Sequence, residues 1–319
     1  MMNKTIGIFL LLVVTSIVTA MQSDSFLGPM NTFNLMQRSA LYGMIGIGVS
    51  FVIVTGGIDL SIGSIIGLMG TLFPLLLAKE FSPVLAFAIV MGLSGVIGIL
   101  HGLLVTKLKL QPFVVTLCGL LVYRGIARWI SQDSTQGFRG FEDLRWWAVG
   151  KIPLFDKYAL PIPLLLFLGF GVLAWLFFHR TIWGRQLLAL GRNEQAAIFS
   201  GIKTDRLIIF TYFVSALIAG LAGVLFALHI SSVQPASHGN FYELYAIAAA
   251  VLGGCSLRGG EASVIGVMLA SAVIRVIQNM IVLLGIAAQL EYAVLGVVIL
   301  LGVISDEFLR RWSQRRRLG

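Results

Sequence analysis

The sequence predicts an all-α, polytopic membrane protein of about ten transmembrane helices with both termini cytoplasmic. Three observations predict it. The 319-residue chain is 58% hydrophobic and only 12% charged, with a mean hydropathy of +0.94, whereas soluble domains carry about 25% charged residues. Its apolar stretches are continuous over ~20 residues, the length a helix needs to cross hydrocarbon, while a barrel needs ~10-residue alternating segments. Its positive charge also falls on one side once the spans are drawn.

The apolar runs lie at 5–22, 40–56, 60–78, 83–105, 112–130, 159–178, 207–228, 242–256, 262–284 and 290–308. Lys4 precedes the first run, and Val18-Thr19-Ala20 resembles a signal-peptidase site. The positive region is weak and many spans follow, so the run is read as an uncleaved first span. The runs 40–56 and 60–78 also fit one broken helix plus a re-entrant piece, and the eighth run is short. With residue 1 inside, the basic excess gathers in the connections 106–111, 179–206 and 306–319, and the outer connections are charge-balanced. The formal charge of +9, including Arg310, Arg311, Arg315, Arg316 and Arg317, is therefore a topology signal rather than a nucleic-acid surface. Residues 1–319 read as one transmembrane domain with an outer loop at 131–158 and a cytoplasmic loop at 179–206.

Gly56-Gly57-Ile58-Asp59-Leu60-Ser61-Ile62-Gly63 interrupts the apolar sequence between Leu41 and Ala78. A carboxylate inside a span costs about 2.5–3.5 kcal/mol on insertion scales and marks a functional position by default. Asp59 reads either as a residue of a translocation path or gate, or as a cap accepting from the N–H of Ser61 or Ile62 at the start of the next span. Gly56, Gly57 and Ser61 share that assignment, and the topology puts Asp59 near the cytoplasmic end. On a later span Arg275, Gln278 and Asn279 recur at i, i+3 and i+4 and so share one helix face. Gln278 and Asn279 are uncharged hydrogen-bonding groups, suited to the hydroxyls of a solute or to interhelical bonds. Arg275 must face protein, water or the interface, and Arg124 and Arg128 read as snorkelling to the headgroups. The small-residue pairs Gly63/Gly67, Gly98/Gly102 and Ala219/Gly223 mark close helix contacts.

The two long loops differ in kind. The outer one carries Trp146, Trp147 and Pro153, an interfacial anchor or a docking surface for an external partner. The inner one writes a short helix over 194–200: Asn193 is a good N-cap, Glu194 suits the first turn, and Gly201 sits where a C′ glycine belongs. So short a helix needs packing to persist, and Ala197, Ile198 and Phe199 offer an apolar surface to a partner at the cytoplasmic face.

Gly184-Arg185, Ala189-Leu190-Gly191-Arg192-Asn193-Glu194 and Ala196-Ala197 with Ser200-Gly201-Ile202 resemble the coupling loop of ribose-type sugar ABC importer permeases. Other strings are similar to that family in the same order: the motif at 56–64, Gln111-Pro112-Phe113-Val114-Val115-Thr116-Leu117 with Tyr123-Arg124-Gly125, and Glu243-Leu244-Tyr245-Ala246-Ile247-Ala248-Ala249. Gly253-Gly254-Cys255-Ser256-Leu257-Arg258-Gly259-Gly260 and Gln278-Asn279 before Leu283-Leu284-Gly285 complete the set. The chain departs from the pattern at Arg192, Tyr245, Glu261 and Ala262.

The resemblance implies a multi-pass permease of a bacterial inner membrane that translocates a monosaccharide. It implies two cytoplasmic ABC ATPase subunits or one fused double ATPase, a second permease copy or paralogue, and a periplasmic or lipid-anchored sugar-binding protein. It also implies coupling to the ATPase through Gly184, Arg185, Asn193, Glu194, Ala196, Ala197 and Gly201. A nucleoside, a branched-chain amino acid or a furanose signalling molecule is the alternative cargo. An ion-coupled secondary transporter working through Asp59 is the alternative class, and a non-transporting membrane scaffold a third.

No Walker A string occurs: the Gly150-Lys151 pair is followed by Ile152. Nucleotide energy is thus expected from a partner, and no catalytic residue, cofactor or metal is expected in the chain itself. Cys118 and Cys255 lack CxxC spacing and read as small apolar residues.

Overall fold

The computed structural model describes residues 2–155, 157–297, 300 and 304. Its helices are α1 (Met2–Gln22), α2 (Pro29–Val54), α3 (Ile62–Ala78), α4 (Pro83–Thr106), α5 (Pro112–Ser131), α6 (Trp146–Val149), α7 (Ile162–Arg180), α8 (Ile182–Arg192), α9 (Glu194–Phe199), α10 (Thr204–Ile230), α11 (Tyr242–Leu252) and α12 (Val264–Leu283). Seven are long and apolar enough to cross a membrane, namely α1, α2, α4, α5, α7, α10 and α12, while α3 and α11 are apolar but shorter. The expected tenth run, 290–308, is described only in part, and residues 291–297 of it are helical.

Local chemistry sets the helix starts. Proline occupies the first turn of α2, α4, α5 and α7, where its missing N–H costs nothing. Ser82 and Ser263 accept from the N–H groups of Leu85 and Gly266 at the starts of α4 and α12.

One helix begins earlier than the apolar run announces. The sequence leaves 23–39 as a connection, yet α2 starts at Pro29 and carries polar residues into the bundle. They are satisfied there: Gln37 donates to the carbonyl of Ala148, and the amides of Asn31 and Asn279 donate to each other at 3.0 and 2.7 Å. Partners on other segments cancel the penalty that hydropathy assigns.

α10 is the hub, packed on α4, α3 and α2. Small residues permit the approach. A Cβ on Gly98 would stand 2.5 Å from the carbonyl oxygen of Tyr212, and one on Gly102 2.5 Å from Cα of Ile209. The Gly98/Gly102 pair therefore faces a helix backbone, as its spacing suggests. At the end opposite α8 and α9, the outer connection forms an antiparallel hairpin of β2 (Lys151–Phe155) and β3 (Tyr158–Pro161). A two-residue pair joins β1 (Gln136–Gly137) to β4 (Ser232–Val233). Trp146 and Trp147 lie half exposed on α6.

The two short helices are placed alike. α3 follows α2 across the break at 55–61, and α11 follows α10 across a connection that folds back into the bundle. The two starts meet: a Cβ on Gly63 would lie 2.3 Å from the Gly239 carbonyl, and one on Gly239 2.2 Å from the Gly63 carbonyl. Discontinuous helices converging inside the bundle are how many transporters bring backbone dipoles and polar groups to a buried site.

Candidate functional site: a broken-helix crossing and its peripheral lever

Asp59 is 1% exposed and fully engaged. Its Oδ1 accepts from the N–H of Ser61 at 3.0 Å and from Oγ of Ser61 at 2.6 Å, and Oδ2 accepts from Oγ of Ser215 on α10 at 3.0 Å. The geometry is that of a turn-closing carboxylate at the entrance to α3. Ser215 lies 11 residues along α10 from Thr204, about 16 Å at 1.5 Å per residue. Asp59 thus sits well inside the bundle, in a buried break.

The Ile58 carbonyl freed by the break is also met. Tyr212 Oη donates to it at 3.3 Å, and Thr116 Oγ1 lies 3.4 Å from it while donating to the Pro112 carbonyl at 2.9 Å. Tyr123 Oη pairs with Nε2 of His101 at 2.7 Å beside them. Gly56 takes φ +80°, which a residue with a Cβ rarely adopts. Irregular backbone at such depth persists only where protein groups replace the missing helical bonds.

One turn further, α3 meets a second polar group. The Glu243 carboxylate, in the first turn of α11, lies against Gly63: a Cβ there would stand 2.1 Å from its Oε2. Arg124 on α5 reaches inward, donating from Nη1 to the carbonyls of Pro235 and His238 and from Nη2 to that of Gly63 at 3.4 Å. The snorkelling expectation is therefore wrong for Arg124, whose guanidinium ties α5 to both broken connections. Arg128 does stay outside, held by Asp133 at 2.7 Å, and that contact keeps the Asp133 carboxyl below its ordinary range.

The loop 179–206 contains more helix than expected. α8 precedes α9 and was not foreseen; Thr181 Oγ1 starts it by accepting from the Gly184 N–H at 3.0 Å. Gly184 is required by contact, since a Cβ would lie 2.1 Å from the Phe177 carbonyl. α9 matches the sequence expectation to within a residue. Asn193 Oδ1 accepts from the Ala196 N–H at 3.0 Å, Gly201 has φ +79°, and the N–H groups of Gly201 and Ile202 close on the carbonyls of Ile198 and Ala197. The surface differs from the expected one. Ala197 is buried against the chain, whereas Phe199 is 88% exposed and Ile198 and Glu194 are exposed with it. Arg185, Ala196 and Asn193 line a shallow groove of about 430 Å³ alongside. Replacing Asn193 with Ala should cost α9 about 1 kcal/mol, the usual worth of such a cap. Hydrogen exchange should show faster amide exchange over 194–199 with α10 unaffected.

A glycine clasp joins the end of α8 to the break. The Val54 carbonyl, at the end of α2, accepts from the Gly260 N–H at 2.8 Å. The end of α8 presses on the same carbonyl: a Cβ on Gly191 would lie 1.9 Å from it and 2.4 Å from the Gly260 nitrogen. Gly259, at φ +83°, leaves 2.9 Å between such a Cβ and the Gly56 nitrogen. Gly191 and Arg192, just ahead of the expected coupling residue Asn193, thereby reach the expected path residue Gly56 through Gly259 and Gly260, while Gly57 lies against Tyr212 and Val52 instead. Gln278 and Asn279 lie elsewhere, on the side of α12 facing α2 and α11, and Asn279 is occupied by Asn31. Arg124, Glu243 and Ser215 were missed as site residues, although two of them are single charges inside apolar sequence.

Residues 31–303 match the family described as branched-chain amino acid transport system / permease component. The chain is 36% identical over 308 residues to a ribose import permease protein of Bacillus subtilis, covering 94% of this chain and 91% of the relative. It is 31% identical to a D-allose transport system permease protein of Escherichia coli K12, covering 95% and 91%. It is 31% identical to a galactofuranose transporter permease protein of the same strain, covering 94% and 87%. No solved structure matches significantly.

Proposed function

Because this chain belongs to the permease-component family named for branched-chain amino acid transport systems, we propose that it is the membrane-spanning subunit of an ATP-driven importer whose cargo is a monosaccharide. The observation that carries the cargo is end-to-end similarity to permeases for ribose, allose and galactofuranose. Three different sugars on one scaffold also favour a chain that reads its cargo loosely, with an external sugar-binding protein selecting it. The hairpin end of the bundle, with Trp146 and Trp147, is the face such a protein would meet.

In this reading the end bearing α8 and α9 is cytoplasmic. The positive charge of Arg180, Arg185, Arg192 and Arg206 gathers there, as the positive-inside rule requires. Ten spans with both termini inside follow if α3, α11 and the run 290–308 each count as a crossing. The exposed tip of α9, with Phe199, Ile198 and Glu194, receives an ATPase subunit. Two such subunits or one fused pair, and a second permease copy or paralogue, complete the importer. Closure of the ATPase pushes α9, α8 carries the push, and the clasp at Val54 delivers it to the break at Asp59. Gly184, Arg185, Asn193, Ala196, Ala197 and Gly201 shape that lever, and Gly56, Gly57, Asp59 and Ser61 form the gate it moves.

Purification in mild detergent tests the assembly. The unaltered chain should retain an ATPase, and Phe199→Asp combined with Glu194→Arg should release at least nine-tenths of it without lowering the yield of permease. An ATPase that stays bound, with sugar uptake intact, removes α9 from the coupling surface. Uptake by the purified chain in vesicles without any ATPase would instead favour the ion-coupled class.

A further inference from the structure

Midway along α12, Arg275 and Gln278 are enclosed by the bundle, 8% and 9% exposed. The Arg275 guanidinium lies on Tyr42, with Cζ 3.2 Å from the ring centroid, and 5.3 Å from that of Tyr245. Tyr42 in turn packs against Phe226, Tyr242 and Tyr245 with centroids 4.9, 4.8 and 5.6 Å away. The box abuts the first turn of α11, one of the two helices that begin inside the bundle.

Three polar atoms in this box have no hydrogen-bond partner among the described residues: Nε and Nη2 of Arg275 and Oε1 of Gln278. Several neighbouring polar groups are satisfied. Gln278 Nε2 and Tyr245 Oη both donate to Oε1 of Glu291, and Asn279 is paired with Asn31. Buried groups of this kind are ordinarily paired, and a half-satisfied network is costly. An arginine at this depth compounds that cost.

We propose that the box is a station on the translocation path for a neutral polyhydroxylated solute, deepening the permease reading on which it rests. Arg275 Nε and Nη2 donate to hydroxyl oxygens of the solute, and Gln278 Oε1 accepts from one of its hydroxyls. A tyrosine ring covers the C–H face of the sugar. Two open donors beside one open acceptor match adjacent hydroxyls, each of which both accepts and donates. A simple carboxylate would suit the Arg275 fork but would leave the Gln278 oxygen unpaired and stand near Glu291. An amino acid, whose ammonium could meet that oxygen, is the rival that the leucine arm below tests. A cation would meet Arg275. The positions Gln278 and Asn279 therefore divide, with Gln278 facing cargo and Asn279 holding α12 to α2.

Uptake by the full importer, reconstituted with its ATPase and binding protein and supplied with D-ribose, D-allose or leucine, tests this. Arg275→Lys keeps the charge and removes the planar fork, and Gln278→Leu removes the acceptor. Each should lower the maximal sugar uptake tenfold or more. Each should also alter the ratio of ribose to allose uptake, in complexes that assemble as the unaltered one does. Uptake and sugar ratio unchanged in both variants would overturn the station. Should Arg275→Lys fail to assemble, Gln278→Leu alone decides. An unaltered importer that carries leucine and neither sugar overturns the cargo reading and the station together, before any variant is read.

Discussion

Replacing Gly191 with valine is expected to reduce transport more than tenfold while the ATPase stays bound. The site leaves no room for any side chain: the first added carbon would lie 1.9 Å from the Val54 carbonyl oxygen and 2.4 Å from the Gly260 nitrogen. Both neighbours are backbone, so no rotamer change relieves the clash, and α8 must lift away from the end of α2. Overpacking of this kind costs about 1–3 kcal/mol, small enough for the bundle to survive. The lift breaks the contact of α8 with the end of α2, so ATP hydrolysis would continue without moving the gate. Gly169→Val is the matched control, because nothing lies within 4 Å of a Cβ on that residue. Sugar uptake and ATPase activity measured on the same vesicles separate the outcomes. Normal uptake by Gly191→Val in an intact complex would show that force does not pass through the clasp.

Features encoded locally were legible in the sequence, and features encoded by distant partners were not. α9 could be written almost to the residue because Asn193, Glu194 and Gly201 act on backbone groups only a few positions away. The bond from Asp59 to the Ser61 N–H was legible for the same reason. The early start of α2 was hidden, since Gln37 and Asn31 are tolerable only beside Ala148 and Asn279, far away in the chain. Arg124 shows the limit most clearly. Hydropathy gives a depth for a charge and says nothing of what surrounds it, so an arginine near a span end reads as snorkelling. Its three carbonyl partners come from the 231–241 connection and α3. A stricter use of one signal would have recovered part of this: Arg124 and Glu243 are lone charges in apolar sequence, the same property that singled out Asp59. α8 went unnoticed because a search for continuous apolar runs passes over an amphipathic helix, although Leu187 and Leu190 are buried at the three-residue spacing such a helix requires.

Asp59→Ala should lower the stability of the detergent-solubilised permease by on the order of 3 kcal/mol, and Asp59→Asn by about 1 kcal/mol or less. The carboxylate accepts three hydrogen bonds in a site from which water is excluded, and bonds to a charged acceptor contribute about 1.5–3 kcal/mol each, not additively. Alanine removes all three and leaves the Ser61 N–H and the Ser215 hydroxyl without partners. Asparagine keeps an oxygen for Ser61, while its amide donates to Ser215 Oγ, which can turn its own proton elsewhere. If Asp59 serves chiefly to close the turn into α3, asparagine preserves the geometry and at least half of the uptake. Thermal unfolding and uptake measured on both variants decide between shape and charge. An asparagine variant as stable as the original but inactive would show that the negative charge itself is used when the gate moves. Glu243 would then be the group to test next, since its carboxylate, from the first turn of α11, lies against Gly63 at the start of α3.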